Sequence, residues 1–215
     1  QRSEGGVSYE GVLREYGDGS TRFEASEGPK SLVIIKSPAD HREIKTTAEF
    51  DAEGAQKMAR TSVIDTRTGR KIHEELADIA KRLTVSTQFD DLGAVALVMK
   101  NDEARKRLTR EIHEGGKLVR VETLDQATGR RTVEDKLTGV KTVIEKGGAA
   151  VMTQADGVQQ KGRVGDDGRF TLESIVQADG SVVDVFGKHV ARIKRGGKVQ
   201  GYEADLGAIF GGLTG

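Results

Sequence analysis

No cysteine occurs in this chain, so neither a disulfide framework nor a thiolate metal site can be built from it. That absence is compatible with any redox compartment. Tryptophan is also missing, and aromatic residues make up only 4% of the 215 residues. A sugar-binding groove that uses broad aromatic platforms is poorly served by such a composition. The 34 basic and 34 acidic side chains cancel, which removes the electrostatic argument for a nucleic-acid or anionic-membrane partner. No apolar run reaches the length of a transmembrane helix, and no signal peptide is visible. The chain starts at Gln1 rather than Met, which is expected of a processed, trimmed or excised N-terminus.

Hydrophobic residues account for 35% of the chain and charged residues for 32%. An average globular domain carries more apolar side chains than this. The shortfall predicts a shape with much surface for its volume, such as an elongated repeat or a thin sheet. Disorder shares the signature of low hydropathy, but apolar stretches recur here at regular spacing along the whole chain.

The tetrapeptide QADG stands at 154–157 and again at 177–180, an offset of 23 residues. Glycines recur at similar steps, at Gly69, Gly93, Gly116, Gly139, Gly162, Gly187 and Gly211. Between them lie β-favouring stretches, including Leu118–Leu124, Val140–Ile144, Phe170–Val176, Val182–Phe186 and Val190–Ile193. Asp-Gly, Thr-Gly and Gly-Gly dipeptides separate these stretches, with turns roughly every 9 to 13 residues, as in a β-meander. Two segments are also compatible with helix. In "KIHEELADIAKRL" (71–83), Leu76, Ile79, Ala80 and Leu83 have helical spacing, and "NDEARKRLTREIHE" (101–114) is rich in helix formers. Their place in the repeat favours strands in both.

The stretches "FDAEG" (50–54) and "FDDLG" (89–93) resemble the aromatic-Asp-x-x-Gly core of YD repeats, which occur in Rhs and related polymorphic toxin proteins. "DTRTGR" (65–70), "DQATGR" (125–130) and "DKLTG" (135–139) are similar to the punctuation between those repeats. The resemblance covers about residues 46–187. It implies β-hairpins joined edge to edge in a curled sheet that forms a shell or tube.

Candidate chemistry is sparse. Four histidines occur, His41, His73, His113 and His189, and neither "HEE" nor "HEG" has the second histidine of a zinc-protease motif. Asp90-Asp91 and Asp166-Asp167 could supply paired carboxylates for sugar hydrolysis or oxygen ligands for calcium. Both precede glycine in turn sequences, where Asp is favoured because it caps local backbone. "EKGGAA" and "KRGGKV" lack the ending of a phosphate loop. The basic cluster "ARIKRGGK" (191–198) reads as a solvated hairpin. No catalytic, cofactor-binding or metal-ligating residue is assigned, and no cofactor is expected.

These observations predict an all-β antiparallel meander with a repeat of about 23 residues and two strands per unit, elongated or curled. A β-solenoid is the alternative, and hydrogen-bond register separates the two. The expected organisation is an N-terminal β-repeat portion (1–45), a regular array (46–205), and an apolar, glycine-rich end (206–215). The expected role is a non-catalytic wall, stalk or fibre of an extracellular, cell-surface or phage-tail-like assembly. A polymorphic-toxin shell segment and a polysaccharide-acting enzyme stand as alternatives. Pro29 and Pro38 are the only prolines, so none blocks strand pairing near the C-terminus. Self-association, or pairing with further chain, is therefore expected through Ala208, Ile209, Phe210 and Leu213.

Overall fold

The computed structural model describes residues 1–186, 190–196 and 198–203. The chain divides into two compact units, Gln1–Val119 and Arg120–Gly215. Every regular element among the described residues is a strand. A short hairpin opens the first unit, β1 (Arg2–Glu4) with β2 (Val7–Tyr9). A meander follows: β3 (Gly11–Glu15), β4 (Thr21–Glu27), β5 (Lys30–Ser37), β6 (Arg42–Phe50), β7 (Gln56–Asp65), β8 (Lys71–Asp78), β9 (Leu83–Phe89), β10 (Val95–Asp102) and β11 (Arg107–Glu114). β12 (Lys117–Asp125) leads into the second unit. There β13 (Arg131–Asp135), β14 (Lys141–Ile144), β15 (Ala149–Thr153), β16 (Gln159–Val164), β17 (Phe170–Val176), β18 (Val182–Phe186), β19 (Val190–Arg195) and β20 (Lys198–Glu203) continue the pattern.

Within each unit, strands pair antiparallel with their sequence neighbours, for example Ile35 with Ile44 and Val143 with Val151. Leu124 stands opposite Arg131 and Arg120 opposite Asp135, the pairing that distinguishes a meander from a solenoid. The two helix-compatible segments are strand–turn–strand. Leu76 lies in β8, Ile79 and Ala80 in the following turn, and Leu83 opens β9. Residues 103–106 likewise form the turn between β10 and β11. Here the cross-strand ladder overrides local helix propensity.

The turns explain the repeated sequence. In both QADG copies the amide of Gln donates across the hairpin, Gln154 to the Val158 carbonyl at 2.9 Å and Gln177 to the Ser181 carbonyl at 2.8 Å. Gly157 and Gly180 sit at φ 88° and 79°, a conformation glycine adopts without steric cost. The 23-residue offset therefore marks two hairpin tips of one type, two strands apart. The glycine ladder departs from this at Gly162, which lies inside β16. A Cβ there would come within 2.0 Å of the Thr171 carbonyl oxygen and 2.9 Å of the Phe170 ring, at a local shift in register. Gly187 and Gly211 lie outside the described residues.

Burial is sparse. Among the described residues the buried apolar side chains are Tyr9, Phe23, Leu32, Ile34, Ala48, Ala150, Ile175 and Val183. The first four form one cluster, where the β1–β2 hairpin packs Tyr9 and Val7 against β4 and β5. Elsewhere in the sheet, cross-strand pairs and the aliphatic stems of charged side chains supply contact. Lys36 Nζ lies 2.8 Å from Glu43 directly opposite, and Arg120 and Arg131 approach Glu122 at 3.0 and 3.1 Å. Each such pair, partly solvated, contributes little alone.

Leu32 is wholly buried beneath the hairpin, so Leu32→Ala is expected to lower unfolding stability by about 2–5 kcal/mol in urea titration. A loss below about 1 kcal/mol would contradict a packed layer there. Lys106 adopts φ 51° without being glycine. Lys106→Gly relieves that strain at the cost of unfolded-chain entropy and should raise stability by about 1 kcal/mol or less, whereas Arg105→Gly, outside that conformation, should lower it.

Candidate interaction surface

Strand register sorts the side chains of the first unit into two unlike faces. On one face a row crosses seven strands through directly opposed partners, Ile35, Ile44, Val63, His73, Gln88, Leu97 and Ile112. A parallel row on the same face runs Val33, Thr46, Thr61, Glu75, Ser86, Met99 and Arg110. Thr46 and Thr61 share a hydroxyl hydrogen bond of 3.1 Å. Ile44 is 36% exposed and Met99 42%, and no side chain of the first row is fully buried. β-Branched residues suit these positions because their stiff side chains pack against cross-strand neighbours.

A shallow depression of about 420 Å³ interrupts the row, with Val63, His73, Gln88 and Phe89 among its lining residues. The Lys71 ammonium lies 5.8 Å from the centre of the Phe89 ring. The opposite face is more polar, with the corresponding row reading Ile34, Lys45, Ser62, Glu74, Thr87, Val98 and Glu111. The β1–β2 hairpin packs on this face, and Glu4 of the hairpin pairs with Lys45.

The carboxylates singled out by sequence hold turns. Asp90 Oδ1 accepts hydrogen bonds from the Leu92 and Ala94 amides at 2.9 and 2.8 Å, and the Asp91 carbonyl accepts one from Arg70. Asp167 Oδ1 accepts from the Arg169 amide at 3.0 Å. The same device caps "DTRTGR", "DQATGR" and "DKLTG", through Asp65, Asp125 and Asp135. No group of three or more His, Asp or Glu side chains suited to a metal ion occurs among the described residues.

The histidines are dispersed. His41 occupies a turn at φ 52°, and His73 belongs to the apolar row. His113 lies in β11 with both ring nitrogens buried and without a hydrogen-bond partner, its Nε2 3.9 Å from Glu111. His189 lies outside the described residues. The basic cluster 191–198 falls on the β19–β20 hairpin, where Lys194 and Arg195 meet Asp184 and Asp179 at 2.7 and 3.0 Å. Ala208, Ile209, Phe210 and Leu213 also lie outside the described residues. The apolar row escaped sequence reasoning, because single strands such as "SLVIIK" and "TSVID" show apolar runs but not which residues stand opposite.

No family model matches this chain, and no curated protein matches it. Solved structures do resemble it. The wild-type TCP10 domain of Danio rerio CPAP has 15% identity across 89% of this chain and 98% of that one, with a TM-score of 0.41. The same domain in complex with a peptide of Danio rerio STIL gives 14% identity, 90% and 98% coverage, and a TM-score of 0.38. The G-box domain of the microcephaly protein CPAP, for which a role in centriole elongation is suggested, gives 16% identity, 76% and 97% coverage, and a TM-score of 0.37.

These comparisons correct the resemblance to YD-repeat proteins. The similar structures are CPAP domains rather than Rhs shells. The physical reason lies in the turns, because any hairpin closed by a capping aspartate and a left-handed glycine generates Asp-x-x-Gly. The expected extracellular wall, stalk or fibre, with its toxin-shell and polysaccharide-enzyme alternatives, and the extracellular or cell-surface location are set aside on the same comparisons. Among the described residues no helix is long and apolar enough to cross a membrane.

The capped turns generate a pH dependence. Asp18 is held below the ordinary carboxylate value of 3.8 chiefly by the Ser20 hydroxyl, Asp65 by the Arg67 amide, and Asp78 by the Lys81 ammonium. The Thr138 amide does the same for Asp135 and the Ser181 hydroxyl for Asp179. The unfolded chain therefore takes up these protons first as pH falls. The stability they contribute is complete above 3.8 and is lost as pH drops through the lower folded values. Replacing all five with Asn keeps the accepting oxygen but removes the titration. The difference in stability between pH 5 and pH 3 should then shrink in urea titrations, and an unchanged difference would show that the turns do not carry it.

Proposed function

We propose that this chain is a non-catalytic platform that binds a polypeptide across the open apolar face of its first unit. One observation carries the reading, the aligned row Ile35, Ile44, Val63, Leu97 and Ile112, flanked by exposed Met99, which no other strand of the unit covers. A polypeptide segment suits this surface because apolar side chains along it can cover the exposed members of the row. His73 and Gln88 at the middle of the row supply donors and acceptors for its backbone or polar side chains. The TCP10 domain of Danio rerio CPAP was solved with a STIL peptide, but for the present chain the reading rests on its own residues.

A peptide-display library panned over the purified chain tests the idea. Enriched peptides are expected to carry several apolar residues. Ile44→Lys and Met99→Lys, at positions already open to solvent, should each weaken them by roughly tenfold or more while leaving the fold intact. No enrichment, or enriched peptides that bind both variants as they bind the wild type, would overturn the proposal.

A further inference from the structure

The depression in the apolar row of the first unit is built into the backbone. In β8, His73 pairs with Val63 and Lys71 with Ile64, so Ile72 is an extra residue without a partner in β7. In β10, Val95 pairs with Phe89 and Leu97 with Gln88, so Ala96 is likewise extra. These two β-bulges stand on either side of the His73–Gln88 pair. A bulge bends its strand and re-aims the side chains beside it, and bulges collect next to functional sites. Consecutive side chains of a regular strand point to opposite faces. Here Ile72 and His73 both line the depression, as do Gln88 and Phe89.

The chemistry of its lining is specific. Val63 and Ile72 are half-buried aliphatic side chains, and the other lining residues, Arg42, His73, Gln88 and Phe89, all end in flat groups. None of the six carries a carboxylate. Asp65, directly opposite Arg42, is engaged by its own turn, where it accepts the Arg67 amide at 2.8 Å and lies 3.6 Å from Arg67 Nε.

We infer that this depression is the anchor point of the platform and receives one aromatic side chain of the bound polypeptide, over Val63 and Ile72 and among the flat groups around them. The assignment rests on the platform reading and names what the partner must present. A guanidinium stacks on an aromatic face, and paired rings gain more than their contact area alone supplies. A branched aliphatic side chain gains the apolar contact but neither of these. A lysine or arginine would meet Arg42 with no carboxylate in the lining to receive it. A carboxylate would be desolvated against Val63 and Ile72. A pocket at the middle of a contact surface is also where binding energy concentrates.

Nuclear magnetic resonance of the full chain, labelled at its methyl groups, tests the assignment with three probes. These are the N-acetyl N-methylamides of phenylalanine, cyclohexylalanine and lysine. The phenylalanine probe is expected to give saturable ring-current shifts at the Val63 and Ile72 methyls. The cyclohexylalanine probe, similar in size but without π electrons, should bind more weakly by roughly threefold or more, and the lysine probe not at all. Arg42→Ala, at an exposed position, should weaken the phenylalanine probe by a similar factor. No saturable shift at Val63 and Ile72, equal binding of the cyclohexylalanine probe, or unaltered binding in Arg42→Ala would overturn the inference. Should Arg42→Ala lose its folded spectrum, the two ring probes on the wild type decide. Peptides enriched on the platform should lose binding when their aromatic residue becomes leucine. If they keep it yet still lose it on Ile44→Lys, the platform stands and the aromatic anchor falls. If no peptide is enriched but the phenylalanine probe still shifts Val63 and Ile72, the aromatic site stands and the platform falls.

Discussion

Hydrogen-bond register between sequence neighbours is the constraint on which the rest of this structure depends. A sheet with little packed against it has no large core to select which residues face which way. That choice falls to the hairpin turns, since a slip of one residue would exchange the two faces of every strand beyond it. The aspartates that cap the turns are therefore structural in a strong sense. Asp51 and Asp90 each accept two backbone amides, at 2.8 to 3.0 Å, in the loops that set β6 against β7 and β9 against β10. Their positions determine that Ile44 stands opposite Val63 and that Leu97 stands opposite Gln88.

Once register is set, the two faces of the first unit acquire different characters. One face gains a second layer from the β1–β2 hairpin, which buries Tyr9 over Phe23 and Leu32 and leaves a polar cavity at its margin. The other face keeps its β-branched row half-buried by neighbouring side chains and open above. In an ordinary two-layer domain such a row would be core. Here it remains available, which is why a composition of only 35% hydrophobic residues still yields a coherent apolar surface.

Much of the architecture was legible in the sequence. β17 and β18 fall on the β-favouring stretches Phe170–Val176 and Val182–Phe186, and the QADG tips are hairpin turns of one type. The pairing of β12 with β13 followed from turn spacing alone. What stayed hidden depends on partners distant along the chain. Ile35 and Ile112 share a row only after six successive pairings are known, and no local pattern encodes that sum. Tyr9 was equally obscure, because a three-residue strand gives no sign that it folds back over the sheet. The aromatic-Asp-x-x-Gly stretches misled for the reverse reason. They are local enough to read, but they report a turn chemistry shared by unrelated β-proteins.

Charge organisation sets the terms on which such a surface can recognise anything. The 34 cations and 34 anions are not scattered at random, since Lys36 with Glu43 and Arg22 with Glu24 neutralise one another within the sheet. With paired charges and no net field, long-range attraction contributes little to encounter. Discrimination must then arise at contact, from fit to an apolar row of fixed spacing and from the few groups left unmatched. On the open face those groups include His73 and Gln88, which line the depression in the row. A partner bound as proposed would be selected where the apolar run of the row gives way to His73 and Gln88, more than along the run itself.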